Sequence, residues 1–129
     1  PAATPDLFYL SRAPHHRVFP QCVAVVHHGG AGTSHSASRA GLPSIVVEHV
    51  MDQAFWGATL FRAGIAPPML HRRTLTAGRL ARAIRTVLDS STMQEKARQV
   101  GELMGREDGV RRAVALIEER LGDVVAPFA

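Results

Sequence analysis

The stretch Val23-Ala24-Val25-Val26-His27-His28-Gly29-Gly30-Ala31-Gly32-Thr33-Ser34 decides the architecture. Its first four residues are continuously apolar and mostly β-branched, which predicts a short strand buried on both faces inside a parallel sheet. They run into three glycines within four positions, and Thr33 or Ser34 then supplies an N-cap for a helix reaching about Ala40. Gly41 stops that helix, Pro43 opens the next extended segment, and Ser44-Ile45-Val46-Val47 repeats the apolar strand pattern. Strand, glycine loop, helix and strand in this order make the repeating unit of a parallel α/β fold.

Upstream, Leu7 to Leu10 reads as a short strand, and Pro14 and Pro20 bracket a loop or helical turn around His15-His16-Arg17-Val18-Phe19. Downstream, Asp52 can cap a helix from about Gln53 to Arg62, ended by Gly64 before Ile65-Ala66 and the stiff Pro67-Pro68 pair. Leu75, Leu80, Ile84, Val87 and Leu88 fit one face of a helix beginning near Thr76, with Arg79, Arg82 and Arg85 on its exposed faces. Another helix is expected from Thr92 to Met104. A last one carries Val110, Val114, Leu116 and Ile117 towards Leu121, with Gly122 at its end.

Composition agrees with a folded domain. The chain has 129 residues, 46% of them hydrophobic and 20% charged, enough for one core and too few for two large ones. Fifteen Lys and Arg against eleven Asp and Glu leave a formal charge of +4, which suits anionic ligands. The single Cys22 can form neither an internal disulfide nor a two-cysteine metal site, favouring a reducing compartment and a cytoplasmic location. No run of about twenty apolar residues occurs, and the start has neither Met nor the order of a secretory signal. The abrupt opening Pro1-Ala2-Ala3-Thr4-Pro5 suggests a cut within a larger polypeptide.

The glycine loop carries the chemistry. Unpaired amides at a helix start, with the Thr33 hydroxyl beside them, can hold phosphate oxygens, and the helix end favours negative charge. His28 adds a side-chain donor just before the loop. The pattern is neither GxGxxG nor the lysine-containing P-loop, so dinucleotide binding and ATP hydrolysis gain no motif support. A purely structural turn is the competing reading.

Beyond the loop, Ala13-Pro14-His15-His16-Arg17-Val18-Phe19-Pro20, His27 to Thr33, Gly41-Leu42-Pro43 and Asp52-Gln53-Ala54-Phe55-Trp56 occur in one order, and Glu107-Asp108-Gly109 marks a later helix boundary. Together they resemble the nucleotide-sugar-binding half of bacterial GT-B glycosyltransferases, those that glucosylate sterols or glycosylate macrolide and glycopeptide natural products. The resemblance implies a Rossmann-like parallel sheet flanked by helices, the C-terminal half of a GT-B fold, with residues 1–129 a donor-binding domain fragment. It further implies that His28, Gly29, Gly30, Gly32 and Thr33 hold the donor diphosphate, that Asp52 and Gln53 bind sugar hydroxyls, and that Arg12 and Ala13 belong to the base-binding loop. Arg12 stands where plant relatives place a stacking tryptophan, and a guanidinium can also stack. Two positions depart from the pattern. Ser36 stands where the plant pattern has a ribose-binding glutamate, so ribose recognition must be weaker or arranged differently. Glu48 replaces a proline, and a carboxylate near a diphosphate repels unless it points away or binds a sugar hydroxyl.

The function implied is binding of a UDP- or dTDP-sugar for inverting transfer of the glycosyl group to an acceptor hydroxyl, with no other cofactor and no metal. The general base and the pocket for a lipid, sterol or natural-product acceptor belong to an N-terminal domain absent here, so the fragment alone is expected to bind without turnover. Peripheral membrane contact would arise only in the full-length protein. The alternative is a noncatalytic nucleotide-binding or regulatory domain retaining the fold.

Plainer roles compete at other residues. His27 points opposite to His28 on an extended chain and reads as structural. His15, His16 and His49 lack metal-site spacing, although His16 could touch a nucleotide. His35 and His71 carry no specific signal. Trp56 is expected to pack its helix, Cys22 to be buried and structural, and the arginines at 72, 73, 79, 82 and 85 to be a solvated surface, not a nucleic-acid interface.

Overall fold

The computed structural model describes residues 6–122. The centre of the sheet is β2 (Ser44–Glu48), paired in parallel with β1 (Val25–His27) on one side and β3 (Leu70–His71) on the other. The register sets Val25 against Ser44, His27 against Val46 and Glu48 against His71, so all three strands open at the same edge. That edge is where parallel α/β sheets bind ligands.

Alternation along β2 divides the core. Val46 points into a cluster with Leu60, Ile65, Ala66 and Ala97, contributed in part by α3 (Gln53–Arg62) and α5 (Ser91–Arg106). Ile45 points the other way, against Ala83 and Val87 of α4 (Ala77–Leu88). A third cluster, Phe19, Ala37 and Leu42, seats the four-residue α1 (His15–Val18) and the following turn against α2 (Ala31–Arg39). The sheet is therefore covered by helices on both faces, as the alternating pattern predicts. A further helix, α6 (Gly109–Gly122), carries Val110, Val114 and Ile117 as exposed residues.

Several boundaries and caps differ from expectation for identifiable reasons. Leu7 to Leu10 is not a strand: only Leu7 makes a bridge, and all four side chains are exposed. β1 begins two residues later than its apolar run, and Val23 and Val26 stay 69% and 47% exposed, because β1 is the outer strand of the described sheet. The helix after the loop starts at Ala31, with Gly30 as its N-cap, so Thr33 and Ser34 lie inside its first turn and do not cap it. Thr76 does cap α4 by accepting the Arg79 N–H, and Ser90 caps α5 by accepting the Met93 N–H. β3 has only two residues, too short for an alternation to announce it.

Candidate functional site

The loop between β1 and α2 is shaped by His27. The side chain is 8% exposed, and its Nδ1 accepts the Gly29 N–H at 3.0 Å. A neutral ring accepting at Nδ1 carries its proton on Nε2, which is buried and without a partner among the described residues. Burial first, then the neighbouring His28 and His15, holds the pKa of His27 down at about 4 against the ordinary 6.5. His27 is thus a neutral structural clamp near neutral pH, the plainer of its two sequence readings.

The clamp fixes Gly29 at a φ of +90°. A Cβ there would lie 2.7 Å from Val46 Cγ1 and 3.1 Å from the Gln53 carbonyl oxygen, so the loop lies directly on β2 and on the start of α3. Because the Gly29 amide is spent on His27, the donors of the first helical turn left without an acceptor among the described residues are those of Ala31, Gly32 and Thr33, the first helical bond being Ser34 N–H to the Gly30 carbonyl. Among the described residues no side chain caps this end of α2. Over it lies the exposed His28 ring: a Cβ at Gly30 would overlap His28 Nε2. One imidazole and three unpaired amides therefore converge at a helix start, a chemistry suited to phosphate oxygens.

The Asp52–Gln53 pair follows one loop further on. Gln53 Oε1 accepts the N–H groups of His49 at 2.7 Å and Val50 at 3.1 Å, which leaves its amide NH2 to donate outward. Asp52 does not cap α3 with its side chain; its Oδ2 accepts the Trp56 indole N–H at 3.0 Å, and Oδ1 remains available. Trp56 is also edge-on to Phe55, with ring centroids 5.4 Å apart. Its structural role thus includes holding the Asp52 carboxylate in place.

On the opposite flank, Arg12 is exposed and Ala13 half-buried in the irregular segment leading to α1. His15 stacks on Phe19 with centroids 4.5 Å apart, and α1 packs on α2. This packing brings His16 and Ser36 to a common cavity of about 260 Å³ shared with His35 and Arg39. The Ser36 hydroxyl donates to the Gly32 carbonyl at 2.9 Å. Cys22 is half-buried, not buried as expected, and its thiol donates to the Val18 carbonyl.

Two contributors escaped the sequence reading. The Ala31 amide belongs to the helix start because α2 begins directly after Gly30, ahead of the Thr33 or Ser34 cap expected from the sequence, glycine being an acceptable N-cap. His71 had no signal in its own surroundings, yet its Nδ1 lies 2.5 Å from Glu48 Oε1. Glu48 is consequently an imidazole-bound carboxylate, one oxygen already engaged. Among the described residues no group of three or more His, Cys, Asp or Glu is disposed to hold a metal, and no helix is long and apolar enough to cross a membrane.

The family model for the erythromycin biosynthesis protein CIII-like C-terminal domain matches residues 2–114. A sterol 3-beta-glucosyltransferase of Arabidopsis thaliana is 34% identical over 116 residues, covering 90% of this chain and 19% of that protein. The O-mycaminosyltylonolide 6-deoxyallosyltransferase of Streptomyces fradiae is 38% identical over 114 residues, 88% of this chain and 27% of that protein. The chain thus spans about a quarter or less of the length of these two relatives. Among solved structures, the glycosyltransferase VinC in complex with dTDP superposes with a TM-score of 0.73 at 26% identity, covering 90% of this chain and 29% of VinC. The spinosyn forosaminyltransferase SpnP shares the fold, with a TM-score of 0.82 at 16% identity over 95% of this chain and 33% of SpnP.

Proposed function

Because the chain belongs to the family of erythromycin biosynthesis protein CIII-like C-terminal domains, the C-terminal half of GT-B-type glycosyltransferases, we propose that it binds the nucleoside-diphosphate sugar donor of such an enzyme. The observation that carries the reading is the uncapped start of α2 beneath His28, with Gln53 in contact with the same loop. The diphosphate sits on the amides of Ala31, Gly32 and Thr33 with His28 donating from above. The sugar hydroxyls meet the free oxygen of Asp52 and the amide NH2 of Gln53. The base enters along Arg12 and Ala13, on the flank where His16 and Ser36 share a cavity. The dTDP in the VinC complex supports a dTDP-sugar donor, with a UDP-sugar as the other donor this reading admits, and the sterol and O-mycaminosyltylonolide in the relatives' names support a sterol or natural-product acceptor.

In the reaction we propose for the whole enzyme, an acceptor oxygen attacks the anomeric carbon from the face opposite the leaving nucleoside diphosphate, so configuration inverts. The new C–O bond forms as the anomeric C–O bond to phosphate breaks, and a general base takes the acceptor proton. This chain's share is the leaving group: the helix-start amides and His28 stabilise the negative charge that develops on the diphosphate. The base and the acceptor pocket are assigned to an N-terminal domain lying outside this chain.

Calorimetric titration with UDP, dTDP, GDP and their glucose conjugates tests the binding half of this reading. One saturable diphosphate site is expected, weakened about tenfold or more by His28→Ala, the loss of one charge-assisted hydrogen bond. Absence of binding to every nucleotide, or an unchanged affinity in the variant, would overturn it.

A further inference from the structure

The ends of the three strands form a continuous row. The loop after β1 lies against Gln53, Gln53 Oε1 holds the amides of His49 and Val50 after β2, and those two residues share a cavity of about 430 Å³ with the segment after β3. With the diphosphate on α2 and the sugar at Asp52 and Gln53, the next position along the row is this cavity. Its chemistry is specific. Glu48 and His71, register partners on adjacent strands, join through Oε1 and Nδ1 and leave Oε2 to accept from a hydroxyl. Arg72 and Arg73 line the same space, and among the described residues neither guanidinium has a carboxylate partner. A neutral sugar would leave both guanidiniums unused, and an amino sugar would set its cation against them. A sugar that presents hydroxyls and a carboxylate satisfies all the groups.

We propose that the cavity after β3 reads the far side of the donor sugar and selects a hexuronate, its carboxylate held by Arg72 and Arg73 and a hydroxyl held by Glu48. This rests on the donor-binding reading above and adds the class of sugar.

The test uses the isotope-labelled chain in NMR titrations with free glucuronate, glucose and acetate, beside calorimetry with the glucuronate and glucose conjugates of UDP and dTDP. Glucuronate is expected to shift the amides of Glu48, His49 and residues 71–74 where glucose and acetate do not. The nucleotide-glucuronate should bind about five- to tenfold tighter than the matching nucleotide-glucose. The exposed pair Arg72→Gln/Arg73→Gln, checked for an otherwise unchanged spectrum, should abolish the shifts and the preference while leaving UDP or dTDP affinity as it was. Equal affinities of the two conjugates with no glucuronate shifts would overturn the proposal, as would equal shifts from acetate. If nucleotides bind without a uronate preference, the donor-binding reading stands and this one falls. If glucuronate binds at the β3 loop and no nucleotide binds anywhere, carboxylate recognition stands and the donor-binding reading falls.

Discussion

Gly30→Ala separates the shape of the loop from its stability. Gly30 has a φ of −64° and a ψ of 147°, a conformation open to any residue, so the backbone need not move. The added methyl would meet the His28 ring at Nε2, the far end of a side chain that can rotate away. Alanine is a poorer N-cap than glycine, which costs about 0.5–1 kcal/mol of stability. Binding should suffer more: swinging His28 off the helix start removes one hydrogen bond to a charged group, about 1.5–3 kcal/mol, or roughly 10- to 150-fold in affinity for the nucleoside diphosphate. The same change at the neighbouring Gly29 should do the reverse of this ordering. There a Cβ meets Val46 and the Gln53 backbone at φ +90°, and about 1–3 kcal/mol of strain appears in folding itself. The decisive assay is a double-mutant cycle, with calorimetry on wild type, Gly30→Ala, His28→Ala and the double variant, and urea unfolding in parallel. Gly30→Ala should weaken binding in the wild type and do almost nothing once His28 is alanine, because both substitutions remove one interaction. Additive losses, or wild-type affinity in Gly30→Ala, would refute the claim that Gly30 exists to seat His28.

His27 gives a pH prediction. Its folded pKa lies near 4 and its unfolded value near 6.5, so below about pH 6.5 the unfolded chain takes up a proton that the folded chain does not. Stability should therefore fall as pH drops through this window, by about 2–3 kcal/mol between about pH 7.5 and pH 4.5, and His27→Asn should flatten that slope in urea titrations; an equal slope in the variant would show that other groups carry it. In the core, Ile45 is 1% exposed on the central strand against Ala83 and Val87, so Ile45→Ala should cost about 2–5 kcal/mol in the same assay. A loss below about 1 kcal/mol would mean that α4 collapses onto the sheet without it.

The parts of the fold legible in sequence were those with a local cause. β2 shows itself as an apolar run after Pro43, α3 runs from Gln53 to Arg62 between Asp52 and Gly64, and α4 begins directly after Thr76. What local pattern could not supply was edge status and strand brevity. Val23 and Val26 look buried because β-branched residues in a run usually are, yet their exposure depends on which strand is outermost in the described sheet, a property of topology. Leu70 and His71 make a strand only because β2 offers its free edge to them.

The candidate site divides along the same line. His28, the glycines and the Asp52–Gln53 pair are named as candidates by the family resemblance, whose motifs are contiguous in sequence. The division of labour inside the motif could not be read that way. Of two adjacent histidines, one is used to bend the backbone and the other is left over the helix start, and that choice is made by burial: β1 turns His27 into the core, where its accepting nitrogen takes the Gly29 amide, and so turns His28 outward. Gly29 and Gly30 then serve opposite needs, the first admitting Val46 and Gln53, the second admitting His28. Glu48 shows the limit most clearly. In sequence it is a carboxylate where a proline is expected, with repulsion as its natural consequence. In the fold its partner stands 23 residues away, and the parallel register that sets Glu48 opposite His71 turns a repulsive charge into an oriented acceptor at the end of the row of loops. A departure from a family motif is therefore interpretable only with the strand neighbour that answers it, and here that neighbour lies on the one strand whose sequence gave no warning of itself.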